Sequence, residues 1–283
     1  MAEDREPLEV VARVIGAGRP NPPPRRVVGD LQGGQFDRRS TEVVFEAVVV
    51  RDVSFDGMRF EELSVRDGGV FSGCDFSRMR SRHMSHLSSN LPRTVYRDCR
   101  FLGADLRHFS VGTARFERCI LDGARLDGWR SNLAEFVDCH FAGRIRNVKF
   151  FGRANGPLAE VLGIEGRANE FRGNDFSQAE LLDTSFVLGI DLDAQRWPEG
   201  PGYIRLNGLG ERVQRARAKV VHWADLEARR DAMTMLELLQ TAYVDQDQDN
   251  LFTHRATLGR AYGETAERVW DLLATASDRS RRS

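Results

Sequence analysis

Three groups of residues have types and spacing that chemistry could use. Asp245, Asp247 and Asp249 alternate like the opening of a calcium-binding loop. The sixth position is then Asn250, where glycine makes the turn, and the twelfth is Ala256, where a bidentate Glu is needed. A solvated loop between helices is the better reading. His83 and His86 lie three apart, but no further ligand stands nearby to complete a metal site, so surface histidines are expected. Four cysteines, with His140 beside Cys139, suffice on paper for a metal site or two disulfides. The chain has no glycine-rich phosphate loop with lysine, no metalloprotease helix motif and no nucleophile elbow. No acid–base or nucleophilic set stands out, so the sequence reads as a non-enzyme with no cofactor and no metal.

The elements that would position these residues follow an unusual beat. A bulky apolar residue returns every fifth position at Tyr96, Phe101, Leu106, Val111, Phe116, Leu121 and Leu126, then at Phe136 and Phe141. The same phase holds at Phe71 and Phe76, and later at Phe151, Phe171, Phe176, Leu181 and Phe186. An earlier run, Phe45, Val50, Phe55, Phe60 and Val65, is shifted by one residue, with the slip at Asp67-Gly68-Gly69. Five is neither the helical nor the strand period, and a fixed repeat of this kind signals a solenoid. Two positions before a centre the chain usually places a small residue, among them Cys74, Cys99, Cys119, Cys139 and Asn174; two positions after it glycine is frequent. Such a unit makes one side of a square coil. Four units close a coil of about 20 residues, and coils stack roughly 4.8 Å apart.

This register sorts the cysteines. All four occupy the small inward slot, and Cys99, Cys119 and Cys139 are one coil apart, so they are expected as a column of buried thiols behaving as small hydrophobes. Alternation points His140 outward. Phe109 and Trp129 sit where small residues belong, and their following centres, Val111 and Ser131, are smaller than usual. Large and small have exchanged places one coil apart, which keeps core volume and requires a buried Trp129.

The segments CDFSR (74–78), CRFLGADLRH (99–108), ARFERCILDGARLDG (114–128) and NDFSQAELLDTSF (174–186) resemble the pentapeptide-repeat family. Its pattern is a small residue, Asp or Asn, Leu or Phe, then two polar or small residues. The resemblance covers roughly residues 43–192 with interruptions. It implies a mainly β fold, a right-handed four-sided β-helix. Some members bind DNA gyrase or topoisomerase IV, resembling duplex DNA in shape and charge, and confer resistance to drugs that poison those enzymes; others pair end to end.

Composition qualifies that implication. The 283 residues carry 41 basic and 42 acidic side chains, a net charge of −1, and 41% hydrophobic content. Neither the repeats nor the remainder form an acidic or basic block, so direct nucleic-acid binding is not expected, and mimicry of DNA lacks bulk charge. Only Lys149 and Lys219 are lysine, suggesting a GC-rich bacterial genome. The N-terminus lacks a cationic start and a long apolar core, no stretch approaches a membrane span, and buried thiols suit the cytoplasm.

Three regions are expected. Residues 1–35 form an irregular lead-in, in which Leu8–Ile15 make a strand or short helix and prolines 22–24 a stiff linker. Residues 36–198 form the β-helix, interrupted near 80–94 and 142–170. The spacing of Phe76 and Tyr96 leaves open whether 80–94 is a distorted coil or a loop. Trp197 closes the last coil, and residues 199–283 form a small α-helical module with helices near 211–223, 227–243, 251–261 and 264–276. Arg212, Arg215, Arg217 and Lys219 read as a solvated helix face. The interruptions hold the candidate partner-binding residues: Arg82, His83, His86 and Arg93 in the first, Arg144, Arg146, Lys149 and Arg153 in the second. The function expected is a non-catalytic interaction protein with a protein partner. A type II topoisomerase is the alternative partner, an enzyme using the helical module a remote one, and a homodimer is left open.

Overall fold

The structure, a computed structural model, describes residues 24–275. The Leu8–Ile15 stretch and prolines 22 and 23 lie outside the described residues. The five-residue beat closes into four parallel ladders, giving a four-sided β-solenoid of about six turns with a small helical part at its C-terminal end. On the first face the inward centres are Leu31, Val50, Phe71, Tyr96, Phe116, Phe136 and Phe171. The second carries Phe36, Phe55, Phe76, Phe101, Leu121, Phe141 and Phe176. The third carries Phe60, Ser81, Leu106, Leu126, Ile145 and Leu181. The fourth carries Phe45, Val65, Leu87, Val111, Ser131, Phe150 and Phe186.

Stacking the coils stacks the rings. Phe71, Tyr96, Phe116 and Phe136 succeed one another at 5.1, 5.1 and 5.0 Å between near-parallel rings. These distances match the spacing of paired strands, so the ladder itself sets the offset-stacked geometry that aromatic pairs prefer. The corners explain the recurrent glycines. Gly73, Gly103, Gly123, Gly143 and Gly173 all have φ between +61° and +78°, the left-handed conformation that costs a residue without Cβ nothing.

The small inward slots behave as expected. All four cysteines are free and buried. The thiols of Cys99, Cys119 and Cys139 each approach a backbone carbonyl of the preceding coil, at 3.3, 3.3 and 3.4 Å. The column ends in amides: Asn174 Oδ1 accepts from the Cys139 N–H at 3.0 Å, and Gln195 Oε1 accepts from the Asn174 N–H at 3.0 Å. Trp129 is 3% exposed, and its indole N–H donates to the Leu106 carbonyl at 2.8 Å. Phe109, Val111 and Ser131 are buried with it, so the exchange of large and small holds.

Several boundaries differ from the expectation. Arg25–Gln32, placed in the irregular lead-in, is a strand paired with Glu42–Arg51, so the first coil starts earlier; its centres are too sparse to show the beat. In the first interruption Arg80–Ser81 and Ser85–His86 keep their ladder positions. Only residues 88–93 leave the coil. Phe76 and Tyr96 therefore lie on different faces; Tyr96 pairs with Phe71, 25 residues back, and the twenty-residue match was a coincidence of an insertion. In the second, His140–Arg146 and Lys149–Phe151 are regular strands, and the excursion spans 152–170. The inward centre there is Phe150, not Phe151, because the third side runs one residue short between Phe141 and Ile145. The excursion contains one short helix, α1 (Pro157–Val161), with proline at its start.

The C-terminal module is α/β rather than purely helical. Tyr203–Asn207 pairs antiparallel with Asn250–His254, where a helix was expected from 251. Three helices follow the chain: α2 (Leu209–Val220), α3 (Leu226–Ala242) and α4 (Ala256–Thr275), the last broken at Gly263, whose φ is +50°. Asp225 caps α3, accepting from the N–H groups of Glu227 and Ala228 at 2.9 and 3.0 Å. Phe252 stacks on Trp197 at 4.4 Å, and Trp197 on Phe176 at 5.4 Å, so the module covers the end of the solenoid through Trp197. Arg212, expected on a solvated face, is buried; it donates to the Asn207 and Leu273 carbonyls at 2.7 and 2.6 Å and ties α2 to the end of α4.

Candidate interaction surfaces

Both excursions leave the solenoid at the same corner, between the fourth and first faces. The first follows Leu87 and returns before Tyr96; the second follows Phe150 and returns before Phe171. Two regular coils separate them. The first lies tight on the coil beneath it: a Cβ on Gly112, whose φ is +48°, would fall 1.7 Å from the Ser88 carbonyl oxygen. The second is anchored by a small apolar cluster, with Ala154 and Ala159 on Leu133. Asn169 donates to the carbonyls of Asn132 and Phe151 at 2.9 and 3.0 Å.

A charge network links the two across the first face. Arg93, at the end of the first excursion, donates to the carbonyls of Thr113 and Leu133 at 3.2 and 2.5 Å and meets Glu135 at 3.1 Å. Arg115 reaches Glu135, Glu117 and Glu170, each at 2.6 Å, and Glu170 closes the second excursion. Burial lowers the basicity of Arg93, with Glu135 opposing. The hydrogen bond from Arg115 holds the Glu170 carboxyl below its ordinary range, against its partial desolvation, and Arg172 adds to the effect. Arg115, Glu135 and Glu170 were missed in the sequence. The signal was there for Arg115 and Glu135: opposite charges one coil apart at positions flanking aromatic centres.

The other candidate residues are dispersed. Arg82 and His83 both approach Glu61 on the coil below, at 3.5 and 3.7 Å. His86 is half-buried in the fourth-face ladder opposite Ser64 and Ser110, and burial lowers its basicity. Arg144 and Arg146 lie on the third face, paired with Glu180 at 2.9 Å and Asp183 at 3.8 Å. Lys149 lies on the fourth, over the Phe151 ring at 5.2 Å. Arg153 alone of these four is in the excursion, and it pairs with Asp247 at 2.7 Å. Only Arg93 and Arg153 of the eight therefore belong to segments that leave the coil.

The motifs with chemical spacing are used structurally. The three aspartates of the calcium-like run turn to separate partners: Asp245 accepts from Gln240 at 2.7 Å, Asp247 faces Arg153, and Asp249 accepts from the Gly210 N–H at 2.8 Å. Among the described residues no group of three His, Cys, Asp or Glu side chains converges as a metal site, and no helix is long and apolar enough to cross a membrane. Half-buried His140 faces Asp175 at 4.0 Å rather than Cys139.

Charge that balances overall is sorted by face. Outward positions of the second face hold Asp37, Asp56, Asp75, Asp122 and Asp175. Arg100 interrupts them, Arg78 binds Asp56 at 2.9 Å, and Arg196 lies 3.3 Å from Asp175. The middle coils of the third and fourth faces carry Arg80, Arg82, Arg107, Arg125, Arg130 and Lys149, with Asp105 and Asp127 among them.

No known family profile matches the chain, and no curated protein matches it. Among solved structures, trypsin-treated QnrB1, a plasmid-mediated fluoroquinolone resistance protein, aligns at 16% identity over 60% of this chain and 80% of its own, with a TM-score of 0.26. Full-length QnrB1 aligns at 17% identity over 62% and 92%, with a TM-score of 0.19. HetL, a pentapeptide repeat protein involved in heterocyst differentiation regulation in the cyanobacterium Nostoc, aligns at 14% identity over 62% and 81%, with a TM-score of 0.21. At these values the alignments carry no argument about function; the coil geometry stands on this chain's own ladders.

Proposed function

We propose that this chain, whose four-sided coil is the pentapeptide-repeat fold, is a non-catalytic interaction protein that engages a protein partner at the corner carrying both excursions. The observation that carries this reading is the Arg93–Glu135–Arg115–Glu170 network, which ties two excursions separated in sequence into one fixed surface. A rigid surface loses little conformational entropy on binding. The use of polar residues supports the non-catalytic part: cysteines pack the core, and histidines and aspartates pair locally. Site-specific photocrosslinking in the native cell tests it. A photoreactive residue at Asn90 or Val161 is expected to give a discrete adduct, and one at Asp122, on the second face, is not. A substrate turned over by the purified chain, with turnover abolished by an excursion variant, overturns the reading.

A second reading has one observation in its favour. Five aspartates occupy outward positions of the second face along the rod, in two rows flanking the inward centres, and a surface competing with DNA for a type II topoisomerase would need negative charge there. Arg100 and the pairing of Asp37, Asp56 and Asp175 with arginines count against it. Gyrase supercoiling with and without a quinolone-type poison decides: no effect at micromolar protein removes this reading.

A further inference from the structure

We propose that the fourth face carries a docking groove for an acidic, leucine-rich peptide segment of the partner, with Arg130 as its anchor; this deepens the interaction reading and rests on it. Two cavities, of about 230 and 200 Å³, lie side by side on that face and share Ser110 and Arg130 in their walls. One reaches to Leu158 of α1, the other to Met84. They form a groove because Ser110 and Gly112 leave its floor low, while the second excursion builds one wall.

The ligand chemistry follows from what lines the groove. The outward ladder here reads His86 opposite Ser110, then Arg130 opposite Lys149, then Ser185. It contains no carboxylate, and two cations face each other across adjacent coils. Burial and the nearby Arg130 both lower the basicity of Lys149, as expected where positive charge is uncompensated. An acidic side chain seated against Arg130 relieves that repulsion and makes a charge-assisted hydrogen bond. At the two ends Met84 is 57% exposed and Leu158 42% exposed, large apolar side chains that water covers poorly. An acidic residue flanked by aliphatic ones satisfies all three positions. Nucleic acid fits worse: the aromatic residues lining the groove, Phe109 and Trp129, are buried and offer no stacking platform.

The test uses the full chain and a fluorescein-labelled peptide alternating leucine with glutamate, read by fluorescence anisotropy. Control probes replace glutamate by lysine or leucine by serine, and oligo(dT) stands for nucleic acid. The glutamate–leucine peptide is expected to bind. Affinity should fall roughly tenfold or more with Arg130→Glu, fall with the serine probe, and stay unchanged with Arg100→Glu on the second face. Equal affinity for Arg130→Glu and wild type overturns the groove, as does tighter, Arg130-dependent binding of oligo(dT). Absence of peptide binding while the Asn90 and Val161 crosslinks persist overturns the groove and leaves the interaction reading standing. Loss of those crosslinks with Arg130-dependent peptide binding intact removes the corner reading but supports the groove.

Discussion

Arg93 and Glu135 meet at 3.1 Å with side chains only 12% and 9% exposed, joining an excursion to a regular coil further along the rod. A charge pair this buried is costly to break from one side, because the partner is left desolvated and unpaired. Glu135→Ala strands Arg93, whose carboxylate partner it is, while Arg115 keeps Glu117 and Glu170. It is expected to destabilise the chain by about 3 kcal/mol or more, seen as a melting midpoint lower by roughly 2–4 °C per kcal/mol. Trypsin should then cut after Arg93 earlier than in the wild type. A melting midpoint and cleavage pattern both unchanged would show that the network holds neither excursion.

The buried thiols set an alkaline limit on stability. The Cys74 thiol is pushed up by its contact with Cys99 and by burial, Cys99 by its contact with Cys119, and Cys119 chiefly by burial. In the unfolded chain these groups lose their protons near the ordinary value of 9.0. The folded chain keeps them, so it binds more protons and loses stability as pH rises through that value. Each thiol contributes a slope of about 1.4 kcal/mol per pH unit once it is ionised in the unfolded state. Tyr243, pushed up to about 12 by burial, adds the same sign above 10.0. Urea midpoints measured from pH 8 to 10 should fall, and replacing the three cysteines by alanine should flatten most of that fall. Native protein should leave all four thiols unreactive to a thiol reagent until denatured.

The beat was legible because packing fixes it: one side of the coil holds one large inward residue, and no other role competes at that position. The cysteine column and the Trp129 exchange follow from the same constraint, since inward volume is conserved from coil to coil. What the beat does not constrain was less legible. The insertion at 88–93 changes spacing without leaving a distinctive sequence, so Phe76 and Tyr96 match by chance, and the one-residue shortening between Phe141 and Ile145 makes the inward centre Phe150 rather than Phe151. The candidate cations followed from these misplaced boundaries. Arg144, Arg146 and Lys149 looked like a loop because glycine and arginine replace apolar neighbours, yet backbone pairing with 175–182 and 185–187 keeps them in the coil.

The exchange at Trp129 and Ser131 can be reversed by design. Both are buried on the fourth side of one coil, two positions apart. Trp129→Ala opens a cavity and is expected to cost about 3–5 kcal/mol. Ser131→Phe alone overfills the site at about 1–3 kcal/mol. The double variant restores the ordinary pattern of small slot and large centre, so its cost should be clearly less than the sum. A residual deficit of about 1 kcal/mol is expected from the lost indole bond to the Leu106 carbonyl. Urea unfolding of the four proteins gives the coupling energy; strictly additive costs would mean the two sites do not share volume.

Phe252 and Trp197 form the aromatic part of the joint between the solenoid and its C-terminal module, beside hydrogen bonds from the Gly189 and Ile190 N–H groups to Gln248. Phe252 belongs to the solenoid core through Trp197, while Ile204, Leu206 and the buried faces of α2–α4 form a separate cluster. Phe252→Asp places a charge against the Trp197 ring at the point where the two cores touch, and burying it there is unfavourable. Because the module keeps its own core, it is expected to undock rather than unfold. Tryptophan emission should shift to the red as Trp197 meets water, and thermal unfolding should split into two transitions. The uncovered last coil presents an apolar end and open strand edges, so concentration-dependent self-association should appear by size exclusion. One cooperative transition at the wild-type midpoint, with unshifted emission, would mean the solenoid end is sealed without Phe252.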